Sequence, residues 1–309
     1  MGHNSVNAGA FIAPWHRNLL VITAIFTVLL ISMGGILCVT QSIRDCPDWP
    51  GCFGKVYPPL ETGPVLEYTH RVLAAVSGLL IVGSAITGLV RTPHLRWVTI
   101  PPLVSVVLLV VVSYLGAVVV LRGLSPGWAA LDVGSALLVV ALMVACAVTA
   151  SVRINNPALP NRLSLRDSIS RLVLASTAVV YIVLVSGVLV AGKEPLVGCL
   201  GWPIYSPSIY RSASPVVVYT IRLILSVVGV GLIVGVLVQS RNIRDERPDA
   251  YRFARWMGVA VLVETLVQVL LVIFGYPVIL WVVYTVIAAT LWGLLVALFV
   301  RSGLDGRLI

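Results

Sequence analysis

Two cysteines bracket a short Trp-Pro turn at Cys46-Pro-Asp-Trp-Pro-Gly-Cys52, and soon after it comes Glu67-Tyr-Thr-His70-Arg71. The cysteine spacing can close a small disulfide loop in an oxidising compartment. Such a pair is either redox-active or a structural staple. The staple is the reading adopted, because no Cys-x-x-Cys spacing with a lowered thiol pKa is present. Glu67 and His70 stand three residues apart and so share a helix face. An acid placed there can move a proton or orient the imidazole; its plainer role is that of a solvated carboxylate at a helix start, favoured by the macrodipole. His70 lies about one turn into an apolar stretch. An ionisable group at that depth faces a bundle interior and has a role, and a neutral imidazole is a common metal ligand. The structural alternative is a histidine hydrogen-bonded within the bundle or snorkelling to the interface. Asp132 falls at a matching depth on a later helix. It either completes a site opposite His70 or pairs with Arg71, Arg122 or His70 as a buried salt bridge.

The elements that position these residues are apolar helices. Apolar residues make up 59% of the 309-residue chain and charged residues 11%, against about 45–50% and about 25% in soluble domains. A hydrocarbon core of about 30 Å needs roughly 20 apolar residues per helix. Eight segments meet this, at about 18–40, 67–90, 98–121, 128–150, 172–192, 215–239, 257–275 and 278–300. The fold class is therefore all-α integral membrane. The first segment lacks a short apolar core followed by a small-residue cleavage site, and is expected to stay as a helix.

The net charge of +9 does not indicate nucleic acid, because the cations are sorted by loop. Of the 21 Lys and Arg residues, fourteen fall on one side of the membrane and seven on the other. The positive-inside rule then puts both termini in the cytoplasm, with the Cys46/Cys52 loop and the loops at 122–127 and 193–214 outside. The basic inner loops orient the chain and meet anionic lipid. Cys38 ends the first helix, Cys146 reads as a small core residue, and Cys199 is left odd: free, or bonded to an external partner.

The two halves look related. Cys46-x-x-Trp49-Pro50-x-Cys52 falls on Cys199-x-x-Trp202-Pro203-x-Tyr205, Tyr68-Thr-His70-Arg71 on Tyr219-Thr-Ile221-Arg222, and Asp132 on Tyr284, at a nearly constant offset. This indicates an internal duplication: a four-helix half over 1–150, a cytoplasmic linker at 151–171, and a second, degenerate four-helix half over 172–309. Each half is expected to be a bundle with a site in its core. Glu264 and Gln268 share a face of the seventh helix and read as interhelical glue. Gly231 and Gly235 form a GxxxG pattern that marks close packing.

Taken together, the Cys-Trp-Pro-Cys loop, Glu67-Tyr-Thr-His70-Arg71 and Leu115-Gly-Ala-Val-Val-Val-Leu-Arg-Gly-Leu-Ser-Pro126 resemble the heme A synthase family. Those membrane enzymes oxidise a methyl group of heme O to the formyl group of heme A. The family carries a histidine pair in each half, one for the substrate heme and one for a b-type heme. Carried over by position, the pairs fall on 70 and 132 and on 221 and 284. This chain has His70, Asp132, Ile221 and Tyr284, so three expected ligands are missing. The resemblance implies an oxidoreductase with His70 as ligand to heme iron, Glu67 as proton-handling acid, and Arg71 and Asp132 contributing to cofactor binding. It implies at most one heme, in the first half, and no second-half b-type heme. Tyr284 reads as packing plus one hydrogen bond, and Arg222 as an anchor to lipid headgroups in preference to a heme propionate. The implied partners are heme O, the plasma-membrane bilayer, and heme O synthase or a terminal oxidase complex; a homo-oligomer stays open. The alternative class is a non-catalytic descendant: a heme-handling factor, or a structural or assembly subunit of a respiratory membrane complex.

Overall fold

The computed structural model describes residues 12–123, 125–157, 163–190, 199–203 and 213–304. They form eight helices: α1 (Pro14–Thr40), α2 (Thr62–Arg91), α3 (Arg96–Arg122), α4 (Pro126–Asn155), α5 (Ser168–Val190), α6 (Ala213–Asn242), α7 (Pro248–Ile273) and α8 (Val278–Leu304). All eight are long and apolar enough to cross a membrane. No strand occurs among the described residues. The expected Tyr205, Lys193, Arg211, Arg162 and Arg307 lie outside the described residues.

The helices run past the apolar segments at their polar ends. α7 starts at Pro248, between the apolar segments expected at 215–239 and 257–275, because proline suits the first helical position. α2 starts at Thr62, so Glu67 is already one turn inside it. α4 continues to Asn155 and α5 begins at Ser168, which shortens the 151–171 linker. The linker folds back onto α8, with the Ser164 amide donating to Gly303 O at 2.8 Å. α1 ends at Gln41, whose left-handed φ of 59° lets its amide and that of Ser42 return to Cys38 O and Leu37 O.

Two closed rings of four helices result. In the first, α1 packs on α2, α2 on α3, α3 on α4 and α4 on α1; in the second, α5 to α8 repeat that order. The halves meet through α1, α4, α5 and α8. This arrangement is consistent with a tandem duplication. α4 and α8 are the most buried helices and α3 the least. α4 and α8 are rich in small residues, including Gly134, Ser135, Ala145, Ala150, Ala288, Ala289 and Gly293. In lipid, where apolar contact alone gives little preference, such residues let backbones approach. The Trp292 indole donates to Leu137 O at 2.9 Å and the Tyr181 hydroxyl to Gly134 O at 3.2 Å, tying α8 and α5 to α4. The GxxxG expectation holds only in part. A side chain at Gly235 would meet Leu172 of α5, but Gly231 has nothing within 4 Å.

Candidate functional site

The loop between α1 and α2 is folded around Arg71. Cys46 and Cys52 form a disulfide, and both residues are fully buried. Cys52 and Lys55 exchange backbone hydrogen bonds at 3.2 Å across a tight turn, with Phe53 and Gly54 both at positive φ. The Asp48 carboxylate accepts from the Gly54 amide at 2.6 Å and the Phe53 amide at 2.7 Å. Those amides, Gly54 foremost, hold its carboxyl below the ordinary 3.8, with help from the charge of Arg71. Arg71 reaches into the loop from α2. It donates to Asp48 O at 2.7 Å, to Gly51 O, and to Glu67 Oε1 at 2.5 Å. Glu67 in turn accepts the Cys46 amide on Oε2 at 2.6 Å. A guanidinium presents its donors in a fixed fork, so one side chain can hold two backbone carbonyls and a carboxylate together.

This changes the expectation of a solvated Glu67. The residue is 2% exposed and both carboxylate oxygens are engaged. Arg71 carries the loop as its main structural contact.

His70 lies between these two on the same helix, half-buried. No hydrogen bond reaches its ring among the described residues. A Cβ added at Gly34 would lie 3.6 Å from His70 Nε2, so the imidazole leans toward α1 where that helix has no side chain. Asp132 sits on α4. The salt bridge expected for it does not form: no ion pair includes it among the described residues, and its buried Oδ1 has no partner. α2 and α4 occupy the diagonal of the first ring and do not pack on each other. One partnerless imidazole and one buried, partnerless carboxylate oxygen therefore belong to the two helices that the bundle holds apart. That donor set suits a bulky group taking a single imidazole. A bare metal ion finds no cluster of three or more His, Cys, Asp or Glu side chains among the described residues.

The second half is built differently at the equivalent places. α6 and α8 again form the diagonal, but residues 199–203 are all buried, and the two diagonal helices hold them. Arg222, 1% exposed, donates to Gly201 O at 2.6 Å and to Val183 O at 3.0 Å. The expected headgroup anchor is thus wrong: this arginine is turned inward onto backbone carbonyls. The Tyr284 hydroxyl donates to Trp202 O at 2.9 Å while Trp281 meets its ring edge-on, which is the packing role expected of it. Gln268 donates to Pro203 O at 2.8 Å. Glu264 is buried, with the Trp202 side chain within reach of its carboxyl group. Ile221 is 52% exposed and faces away from the bundle.

One covalent feature escaped the sequence reading. Cys199 is neither free nor bonded to an external partner; it is bonded to Cys38 at the end of α1. The two residues were both expected at the outer surface, and that shared side was the available signal. Cys146 is buried in α4, with its sulfur 3.1 Å from Val98 O.

Eight apolar helices closed into two rings, with their loops stapled at one end, define a multi-pass membrane protein. A family model described as "Cytochrome oxidase assembly protein" matches residues 61–296. The chain belongs to that family. It is 27% identical over 196 residues to a heme A synthase of Halalkalibacterium halodurans, covering 61% of this chain and 64% of the relative. It is 29% identical over 192 residues to a heme A synthase of Exiguobacterium sp., covering 60% and 61%. It is 31% identical over 123 residues to a heme A synthase of Bacillus licheniformis, covering 40% and 41%. The chain thus spans less than two thirds of the length of these relatives.

Proposed function

We propose that this chain is a heme A synthase-type oxidoreductase that takes heme O from the bilayer into the first half, in service of cytochrome oxidase. The observation that carries the reading is His70: a half-buried, partnerless imidazole on α2, opposite the buried, partnerless Asp132 Oδ1 of α4. His70 would hold the heme iron, and Asp132 on the diagonal helix would line the site. When bound, the heme supplies the iron and the methyl group that is oxidised. The chain's own part is to position and to handle protons. Glu67, one turn before His70, is the acid nearest the ligand, and its bonds to Arg71 and the Cys46 amide fix where it stands. Arg71 holds the disulfide loop over the mouth and offers its charge to a propionate.

The second half carries no heme in this reading. Its diagonal is packed with residues 199–203, Arg222 and Tyr284, and Ile221 points outward. Both disulfides lie at one end of the bundle, which supports placing that end in an oxidising compartment outside the plasma membrane. None of the relatives above carries a name that supports a non-catalytic scaffold.

Purification in detergent, with the heme spectrum and heme-to-protein ratio, tests the site. At most one heme per chain is expected, lost in His70→Ala and kept in Tyr284→Phe. A low-spin b-type signal near one per chain that survives His70→Ala sinks the assignment. Membranes of a deletion strain should hold heme O in place of heme A. The wild-type chain should restore heme A, and Glu67→Gln should not.

A further inference from the structure

The opposite end of the molecule from the disulfides holds a second built site. A cavity of about 270 Å³ opens where α1 begins and α2 ends, lined by Ala13, Trp15, His16, Arg91 and Thr92. His16 is 1% exposed, and neither ring nitrogen has a partner among the described residues. A buried imidazole left in this state forfeits the full desolvation cost of its polar atoms, unless something enters the cavity to meet them.

The character of that ligand follows from what surrounds it. No carboxylate lines the cavity among the described residues. Arg91 is exposed and in no ion pair among the described residues. A metal cation would find one imidazole and a repelling guanidinium. The first turn of α1 contains no acidic residue and no side-chain cap, and its first helical hydrogen bond comes from Arg17, to Ala13 O. Its leading amides therefore point outward, at the positive end of the helix dipole. At the C-terminal end of α2, Gly88 O already accepts from the Thr92 amide, the Thr92 hydroxyl and the Thr99 hydroxyl. An imidazole N–H, a guanidinium and helix-start amides thus border a space with no acid among the described residues. Trp15, 53% exposed beside His16, is the kind of side chain that sits at headgroup level.

We propose that this cavity binds a phosphate group, presented by the headgroup of an anionic phospholipid or as free phosphate. His16 donates one ring N–H, Arg91 supplies the charge, and the first amides of α1 complete the cradle, as helix N-termini do for phosphates generally. The site is independent of the heme reading, since it lies at the other end of the helices and uses none of its residues.

Delipidated full-length protein in detergent is titrated with phosphatidylglycerol or phosphatidylcholine and the retained lipid counted by native mass spectrometry. In parallel, inorganic phosphate is added and thermal unfolding followed. Phosphatidylglycerol retained in preference to phosphatidylcholine, and weakened about fivefold by Arg91→Gln and by His16→Gln, supports a lipid headgroup. Protection by inorganic phosphate that both variants abolish, without lipid preference, supports free phosphate. Arg244→Gln, at an exposed position, should match the wild type in both assays. Arg91→Gln alters an exposed side chain, so it remains informative if His16→Gln fails to fold. Equal retention of the two lipids with no phosphate effect, or wild-type behaviour of Arg91→Gln, overturns the proposal.

Discussion

Replacing Arg71 with methionine should release the Cys46–Cys52 loop while leaving the helices in place. Methionine keeps much of the apolar stem and removes every donor. The wild-type side chain is 12% exposed and its partner Glu67 3%, so the pair is close to the buried limit. Breaking one side of a buried, hydrogen-bonded pair costs about 3–5 kcal/mol. Arg71 also serves Asp48 O and Gly51 O, but water can reach those carbonyls once the loop lifts. The lower figure of about 3 kcal/mol is therefore the appropriate one, and at about 1.4 kcal/mol per decade it raises the open population about 100-fold. Reduction of a buried disulfide proceeds through the open form. The assay is the rate at which a water-soluble phosphine exposes the Cys46 and Cys52 thiols to a mass-tagged maleimide. Arg71→Met should speed that rate about 100-fold. Arg71→Lys, which keeps charge for Glu67 but loses the fork, should fall between. The Cys38–Cys199 bond, held elsewhere, is the internal control and should keep its rate. Wild-type rates at both disulfides in Arg71→Met would refute the anchoring role.

Two further outcomes follow from the geometry. Gly201→Ala brings a Cβ to 2.5 Å from Tyr284 Cε1, and that ring is fixed by its bond to Trp202 O. Overpacking of this kind costs about 1–3 kcal/mol. It should lower the melting temperature in detergent, whereas Gly231→Ala, which meets nothing within 4 Å, should not; equal behaviour would show that residues 199–203 do not fill the second bundle. Asp48 has a depressed folded pKa, so its contribution is fully present above the ordinary value of 3.8 and fades as the pH drops through the lower, folded value. Reduction of Cys46–Cys52 should quicken only at that acidic end in the wild type and be fast throughout in Asp48→Asn. A flat wild-type profile would count against the Asp48 turn.

The eight helices were legible because a run of about 20 apolar residues has few other uses. Their ends were not, because Thr62 and Pro248 begin helices inside polar stretches, where hydropathy falls before helical structure does. The grouping of Glu67, His70 and Arg71 could be read from helical spacing. The work of Arg71 could not, since most of its partners are backbone carbonyls, and a carbonyl leaves no mark in the sequence. Arg222 was misread for the same reason: it looked like a charge seeking a headgroup and instead satisfies Gly201 O and Val183 O. The Cys38–Cys199 pairing spans 161 residues, a distance at which spacing says nothing.

That same bond makes α2 to α5 a covalent ring, with the small Cys46–Cys52 ring nested inside it. A chain-entropy estimate for a loop of this size is about 5 kcal/mol, against about 2 for the small one. The larger ring can close only after α5 has crossed the membrane and delivered Cys199 to the side of Cys38. Until then three thiols share that side, and two of the three possible pairings among them leave Cys199 a partner other than Cys38. Closure of Cys46 with Cys52 leaves Cys38 to its distant partner. After both have closed, a cut in the connection between α4 and α5 separates nothing: the two halves stay one molecule until a reductant reaches Cys38.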